Sequence, residues 1–176
     1  MKKLLSILVV AAMAGAASAA SIDWTLKGSS FTTSDGSATR AYDYLVVAIF
    51  ESDLDSAVSA ISTINTDSSA FESYVQSSGT TTKTGATSGS FTVSQDTGVS
   101  IPLVLIAFDA NNYADAQKYL VSDAQTGVTY EPPSTPTTAT FNSGSYANHE
   151  WTSVPEPSTA ALALAGLALL LKRRKA

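Results

Sequence analysis

The sequence predicts an α+β body, a mainly antiparallel sheet with two or three helices on one face, bounded by a cleaved signal peptide and a C-terminal transmembrane helix. Three observations carry this reading. Residues 42–50 (YDYLVVAIF) and 99–108 (VSIPLVLIAF) are rich in β-branched and aromatic side chains and read as buried strands. Shorter stretches between and after them repeat apolar residues at helical spacing. Both chain ends set an apolar run beside basic residues, a pattern of membrane traffic rather than of a folded core. A β-sandwich with helical insertions is the alternative arrangement.

The elements follow in order. Ile22, Trp24 and Leu26 alternate with polar neighbours and predict a first strand. Residues 28–39 are polar, with a turn at Asp35-Gly36. The 42–50 run is expected as a central strand covered on both sides. Leu54, Val58 and Ile61 follow the 3.6-residue period of a helix, with Ser52 or Asp53 as its cap. Ser69-Ala70-Phe71-Glu72 has capping-box spacing and predicts a second helix from 69 to about 77. Residues 79–89 (GTTTKTGATSG) read as a flexible loop. Phe91 and Val93 suggest a strand, turned at Asp96-Thr97-Gly98 into the 99–108 run as a hairpin. Pro102 delays the second strand or puts its start at an edge. Tyr113, Ala116, Tyr119 and Leu120 predict a third helix over 112–121. Short strands are expected at 127–130, 139–141 and 151–153, around the proline-punctuated stretch 131–138. Ile49-Phe50-Glu51 and Ala107-Phe108-Asp109 share a strand, Phe, acid order, too little to define a repeat.

Residues 1–19 read as a signal peptide. Lys2 and Lys3 form the positive region, 4–17 the apolar region, and Ala17-Ser18-Ala19 the small-residue cleavage site, with the cut after Ala19, or after Ala20 as second choice. The body, 20–153, has the length of one domain. There is no cysteine, so neither disulfides nor thiol chemistry supports it. Six of the ten basic residues lie in the two ends. Residues 20–154 hold four basic and 14 acidic side chains, a net charge of −10 that repels nucleic acid. The same stretch holds 23 Ser and 20 Thr, suited to a polysaccharide environment and equally to a merely soluble β-rich surface.

No catalytic constellation emerges. Glu51, Asp53 and Asp55 form one acidic cluster, and Asp109, Asn111 and Asn112 another, but neither has the spacing of a calcium loop. Helix N-terminal acids explain both. His149, the one histidine, is expected as a solvent-exposed loop residue; no nucleophile elbow accompanies it. No metal or cofactor is expected, and the body is read as non-enzymatic, although 14 carboxylates leave a glycosidase pair formally open. Trp24, Trp151, Tyr42, Tyr44 and Tyr146 are candidates for stacking on sugar rings, or core aromatics.

The last 23 residues, 154–176, read VPEPSTAALALAGLALLLKRRKA. Pro155 and Pro157 fix their own φ and push Val154 and Glu156 to extended geometry, which leaves a strip that a processing enzyme can grip. The apolar run 160–171 is 12 residues long. As a helix at 1.5 Å per residue it covers about 18 Å of a hydrocarbon core of about 30 Å. Its leucines supply insertion energy of about −2 to −4 kcal/mol. That holds a chain temporarily rather than for life. Lys172, Arg173, Arg174 and Lys175 should stay in the cytoplasm by the positive-inside rule. A plain single-pass tail is the simpler reading of these features.

Pro155-Glu156-Pro157, a short Ala/Leu helix and a basic end resemble the PEP-CTERM sorting signal of exported proteins in Gram-negative bacteria that make exopolysaccharide. The resemblance covers 154–176 and implies recognition by an exosortase, a membrane-embedded cysteine transpeptidase-like enzyme that cuts near the Pro-Glu-Pro motif. It implies transient residence in the inner membrane, then delivery to the cell surface or extracellular matrix. It carries no fold or activity over to the body. The expected partners are signal peptidase, exosortase and exopolysaccharide. The body is expected to have a structural or interaction role, or to be a carbohydrate-binding module.

Overall fold

The computed structural model describes residues 19–28, 31–37, 41–94, 100–125 and 137–155. Two sheets stack face to face, and helices cover the outer face of the larger one. The three-stranded sheet has β1 (Ala19–Leu26) at its centre, antiparallel to β4 (Thr87–Ser94) and parallel to β7 (Thr137–Phe141). The five-stranded sheet is antiparallel throughout, in the order β3 (Ser77–Thr80), β2 (Leu45–Phe50), β5 (Leu103–Phe108), β6 (Lys118–Val121), β8 (Thr152–Ser153). A mainly antiparallel α+β body is thus present, and its sheets form the sandwich of the alternative reading.

Period-2 geometry explains why β2 and β5 are apolar at nearly every position. Val46 and Ala48 of β2, with Leu103, Leu105 and Ala107 of β5, point between the sheets. There they meet Ile22, Trp24 and Leu26 of β1 and Phe141 of β7. Val47 and Ile49, with Val104, Ile106 and Phe108, point the other way. They pack on Ala57 of α1 (Leu54–Ala60), Ile61 and Ile64 just beyond it, and Phe71 of α2 (Ser69–Glu72). Each strand is covered on both faces, as expected for 42–50. Fully burying a Leu, Ile or Phe contributes about 1.5–3 kcal/mol, and this double core is what holds a cysteine-free body together.

Four expectations change. The third helix is absent: 118–121 is strand β6, paired to β5 with Phe108 opposite Tyr119. The Asp109 carboxylate accepts from the backbone N–H groups of Gln117 (2.8 Å) and Lys118 (2.9 Å), closing the turn that starts the strand. Leu120 faces one core while Tyr119 and Val121 pack against the other, so an apolar stretch that matched helical spacing belongs to a two-faced strand. The second helix is one turn whose N-cap is Ser68 rather than Ser69, without a side-chain cap bond, and the Asp67 carboxylate just before it accepts from the Ser69 N–H and hydroxyl at 3.0 and 2.6 Å. Third, β4 and β5 are not a hairpin. β4 alternates polar and apolar residues and lies in the small sheet, whereas β5 is buried throughout.

The fourth change concerns 79–89, expected as a loop. Only 81–86 connects; the rest is β3 and β4. Gly89 makes room for Trp24, which is fully buried, and Gly79 for the neighbouring strand β4. A Cβ on Gly89 would lie 2.7–2.9 Å from the indole, and one on Gly79 would lie 2.4 Å from the Thr87 hydroxyl. The indole N–H donates to the Ser77 hydroxyl of β3, so one side chain ties the two sheets together. The shared strand, Phe, acid order does not extend to structure: Phe50 packs between the sheets, Phe108 under the helices, and a helix follows only β2. The 127–130 strand lies outside the described residues.

Candidate functional site

The described part of the chain ends at the edge of the large sheet. Among the described residues β8 pairs only with β6, Lys118 opposite Ser153 and Tyr119 opposite Thr152. One residue on, the Val154 N–H donates to the Gln117 carbonyl at 2.8 Å, and the Val154 side chain is 6% exposed, packed in the core beneath the helices. Pro155 is exposed and lines an open groove of about 830 Å³ whose wall is the 114–118 segment, Asn65 and Ser153. Asn65 holds that wall. Its amide donates to the carbonyls of Tyr113 (2.9 Å), Ala114 (3.2 Å) and Ala116 (2.8 Å). Of the predicted sorting residues, Pro155 therefore sits directly on the folded body. Glu156, Pro157 and the basic stop at Lys172, Arg173, Arg174 and Lys175 lie outside the described residues. Among those that are described, no helix is long and apolar enough to cross a membrane.

At the other end, β1 begins at Ala19, whose backbone pairs with Ser94. Ala17 lies outside the described residues. A cut after Ala19 leaves seven of the eight β1 residues in place.

Glu51 and Asp53 lie in a 3-10 turn and Asp55 in the first turn of α1. Asp109 serves the β6 turn. Asn111 donates to the Asp43 carboxylate at 3.0 Å, supporting a non-glycine residue at φ 62°. Asn112 accepts from the Asp115 N–H at 3.0 Å. These groups close turns, and among the described residues no three His, Asp or Glu side chains gather as metal ligands. Asp35 is held well below the usual carboxylate range by the hydroxyl of Thr33 and by Ser37, and Asp67 is lowered by Ser69.

His149, expected in open solvent, is half-buried, and its Nε2 lies 2.9 Å from Asp123 Oδ1. The neighbouring Ser145 hydroxyl accepts from Gln125 (3.2 Å) and from the Asn142 N–H (3.2 Å), which ties it to the loop rather than to the imidazole. The pairing was not legible because Asp123 stands 26 residues away in sequence.

The five aromatic candidates separate. Trp24 and Tyr146 are buried, and burial pushes the Tyr146 hydroxyl well above its ordinary range. Trp151 is half-buried, edge-on to Phe31 and to Tyr44 at 5.7 Å each, with its N–H donating to the Thr32 carbonyl at 3.1 Å. Tyr42 stands 55% exposed nearby in the chain. The outward face of the small sheet is almost wholly hydroxyl: Ser21, Thr25, Ser88, Ser90, Thr92, Thr138 and Thr140 surround Asp23. The alternation of β4 (TSGSFTVS) carries that signal in the sequence.

Residues 153–175 match the PEP-CTERM protein-sorting motif. No curated protein and no solved structure matches the chain. The tail is thus similar to the sorting signal of exported proteins handed to an exosortase. The matched segment begins at Ser153, inside β8 and two residues before Pro155.

Proposed function

We propose that the chain is the precursor of a non-enzymatic surface or matrix protein, carried across the inner membrane by residues 1–19, paused there by 154–176, and cut by an exosortase near Pro155, Glu156 and Pro157. Its sandwich body then has a structural or interaction role outside the cell. The observation that carries this reading is the match of residues 153–175 to the PEP-CTERM protein-sorting motif, at the end of a described core that runs from Ile22 to Val154. The test is fractionation of native cells carrying the precursor. The expected result is a body released from the membrane fraction without its basic tail. A protein that stays membrane-bound with Lys172 to Lys175 intact overturns the reading.

A second reading, a carbohydrate-binding module, is favoured by one feature: Trp151 and Tyr44 meet at the surface, with Tyr42 exposed beside them in the chain. Because Trp24 is sealed in the core, a fluorescence change on adding exopolysaccharide would report Trp151. Its disappearance in Trp151→Phe would support this reading, and an unchanged spectrum in the parent protein would remove it.

A further inference from the structure

The motif and the fold claim the same residues. Ser153 is paired to Lys118 in the sheet, Val154 is buried and bonded to Gln117, and Pro155 lines the groove. The sorting match starts at Ser153. A processing enzyme that reads the chain as an extended strip needs its backbone N–H and C=O groups and both side-chain faces free. An edge strand hydrogen-bonded to β6 offers one edge only, and the buried Val154 side chain offers no face at all.

We infer that the body masks the upstream side of its own sorting motif, and that β8 and Val154 must detach from β6 before the Pro-Glu-Pro segment can be cut. The inference rests on the exosortase reading of the tail and adds a conformational step to it. Val154 is then a positioning residue, acting through the accessibility of the residues after it. The contact is small enough to open. β8 has two residues, ends the described body and lies at an edge, the kind of segment that opens locally without global unfolding. It is also large enough to matter. The processing rate scales with the fraction of chains in the released state, so a body that holds β8 closed most of the time slows its own cleavage in proportion.

A reversible clamp tests this. Lys118 and Ser153 face each other across β6 and β8. The bond from Val154 to Gln117 makes their pair a non-hydrogen-bonded one, with Cα atoms about 4.5 Å apart, within the roughly 4.4–6.8 Å that a disulfide spans. The native chain has no cysteine to interfere. The full precursor with Lys118→Cys and Ser153→Cys is followed in membranes from the native cells by loss of the basic tail, oxidised and reduced. The wild-type precursor is run with and without reductant. The reduced double variant should be cut like wild type, and the oxidised one about tenfold slower or more, in line with loss of the released state. A Gly-Ser insert between Val154 and Pro155 should act in the opposite direction, speeding cleavage while leaving the melting curve of the body unchanged. Equal rates for the oxidised and reduced clamp, or no gain from the insert, overturn the masking step while leaving exosortase processing intact. A wild-type precursor that keeps its basic tail under every condition overturns both.

Discussion

Gly89→Ala probes the joint between the two sheets. Gly89 lies in β4 opposite Trp24 of β1. A methyl there would sit 2.7 Å from Trp24 Nε1, 2.8 Å from Cε2 and 2.9 Å from Cζ2, against an ordinary contact of 3.4–4 Å. The indole cannot swing away freely, because it is fully buried and donates to Ser77. Overpacking of this kind costs about 1–3 kcal/mol. The backbone at Gly89 is not left-handed, so alanine returns about 0.4–1 kcal/mol by restricting the unfolded chain. Because all three contacts fall under 3.0 Å on a ring that cannot yield, the upper half of the overpacking range applies, and the net expectation is a loss of about 1–2 kcal/mol. In a Trp24→Phe background the smaller ring makes room for the methyl, and the same substitution should become close to neutral, with a coupling energy of about 1–2 kcal/mol. Urea unfolding of residues 20–154 followed by far-UV circular dichroism measures all four corners of the cycle without relying on tryptophan fluorescence. A neutral or stabilising Gly89→Ala in the parent protein would refute the placement of β4 on Trp24.

Three further predictions address the tail, the groove wall and alkaline pH. Glu156→Ala should leave the precursor in the membrane fraction, and normal release on fractionation would remove exosortase recognition at this motif. Asn65→Asp replaces an amide that donates to three carbonyls with a carboxylate facing them, and should destabilise the body by about 1–3 kcal/mol in thermal or urea unfolding; a neutral result would mean the 113–116 segment is held by something else. Burial and the Glu72 carboxylate push Tyr113 up to about 12, so between pH 10 and 12 the folded chain keeps a proton that the unfolded chain has lost. The stability this gives is fully present below pH 10 and is lost as pH rises to 12, and Tyr113→Phe should flatten that part of the melting-temperature profile; an unchanged slope would contradict the burial of the hydroxyl.

What was legible follows from range. The apolar runs at 42–50 and 99–108 announced β2 and β5 because strands buried on both faces need no partner to be recognised. Pro102 correctly delayed β5 to Leu103. The sorting tail was readable because its function lies in local order: prolines, apolar run, basic end. Pairing was not readable. Nothing local says that β4 joins β1 while its chain neighbour β5 joins β2, or that a glycine in a Thr-rich stretch accommodates an indole some 60 residues upstream. The mistaken helix at 112–121 has the same origin. Four residues, KYLV, satisfy a helical and a two-faced strand pattern alike, and the arbiter is Asp109, whose carboxylate fixes the start of β6. The anchoring of Val154 was also hidden, because a single valine before a proline carries no sign that Gln117 lies beside it.

Intact-mass analysis of the mature protein from its native cells tests the central claim most directly. The account predicts a chain beginning at Ala20 or Ser21 and ending near Pro155 to Pro157, with any added mass at the new C-terminus. A chain that still carries Lys172 to Lys175 in a soluble cytosolic fraction would contradict it.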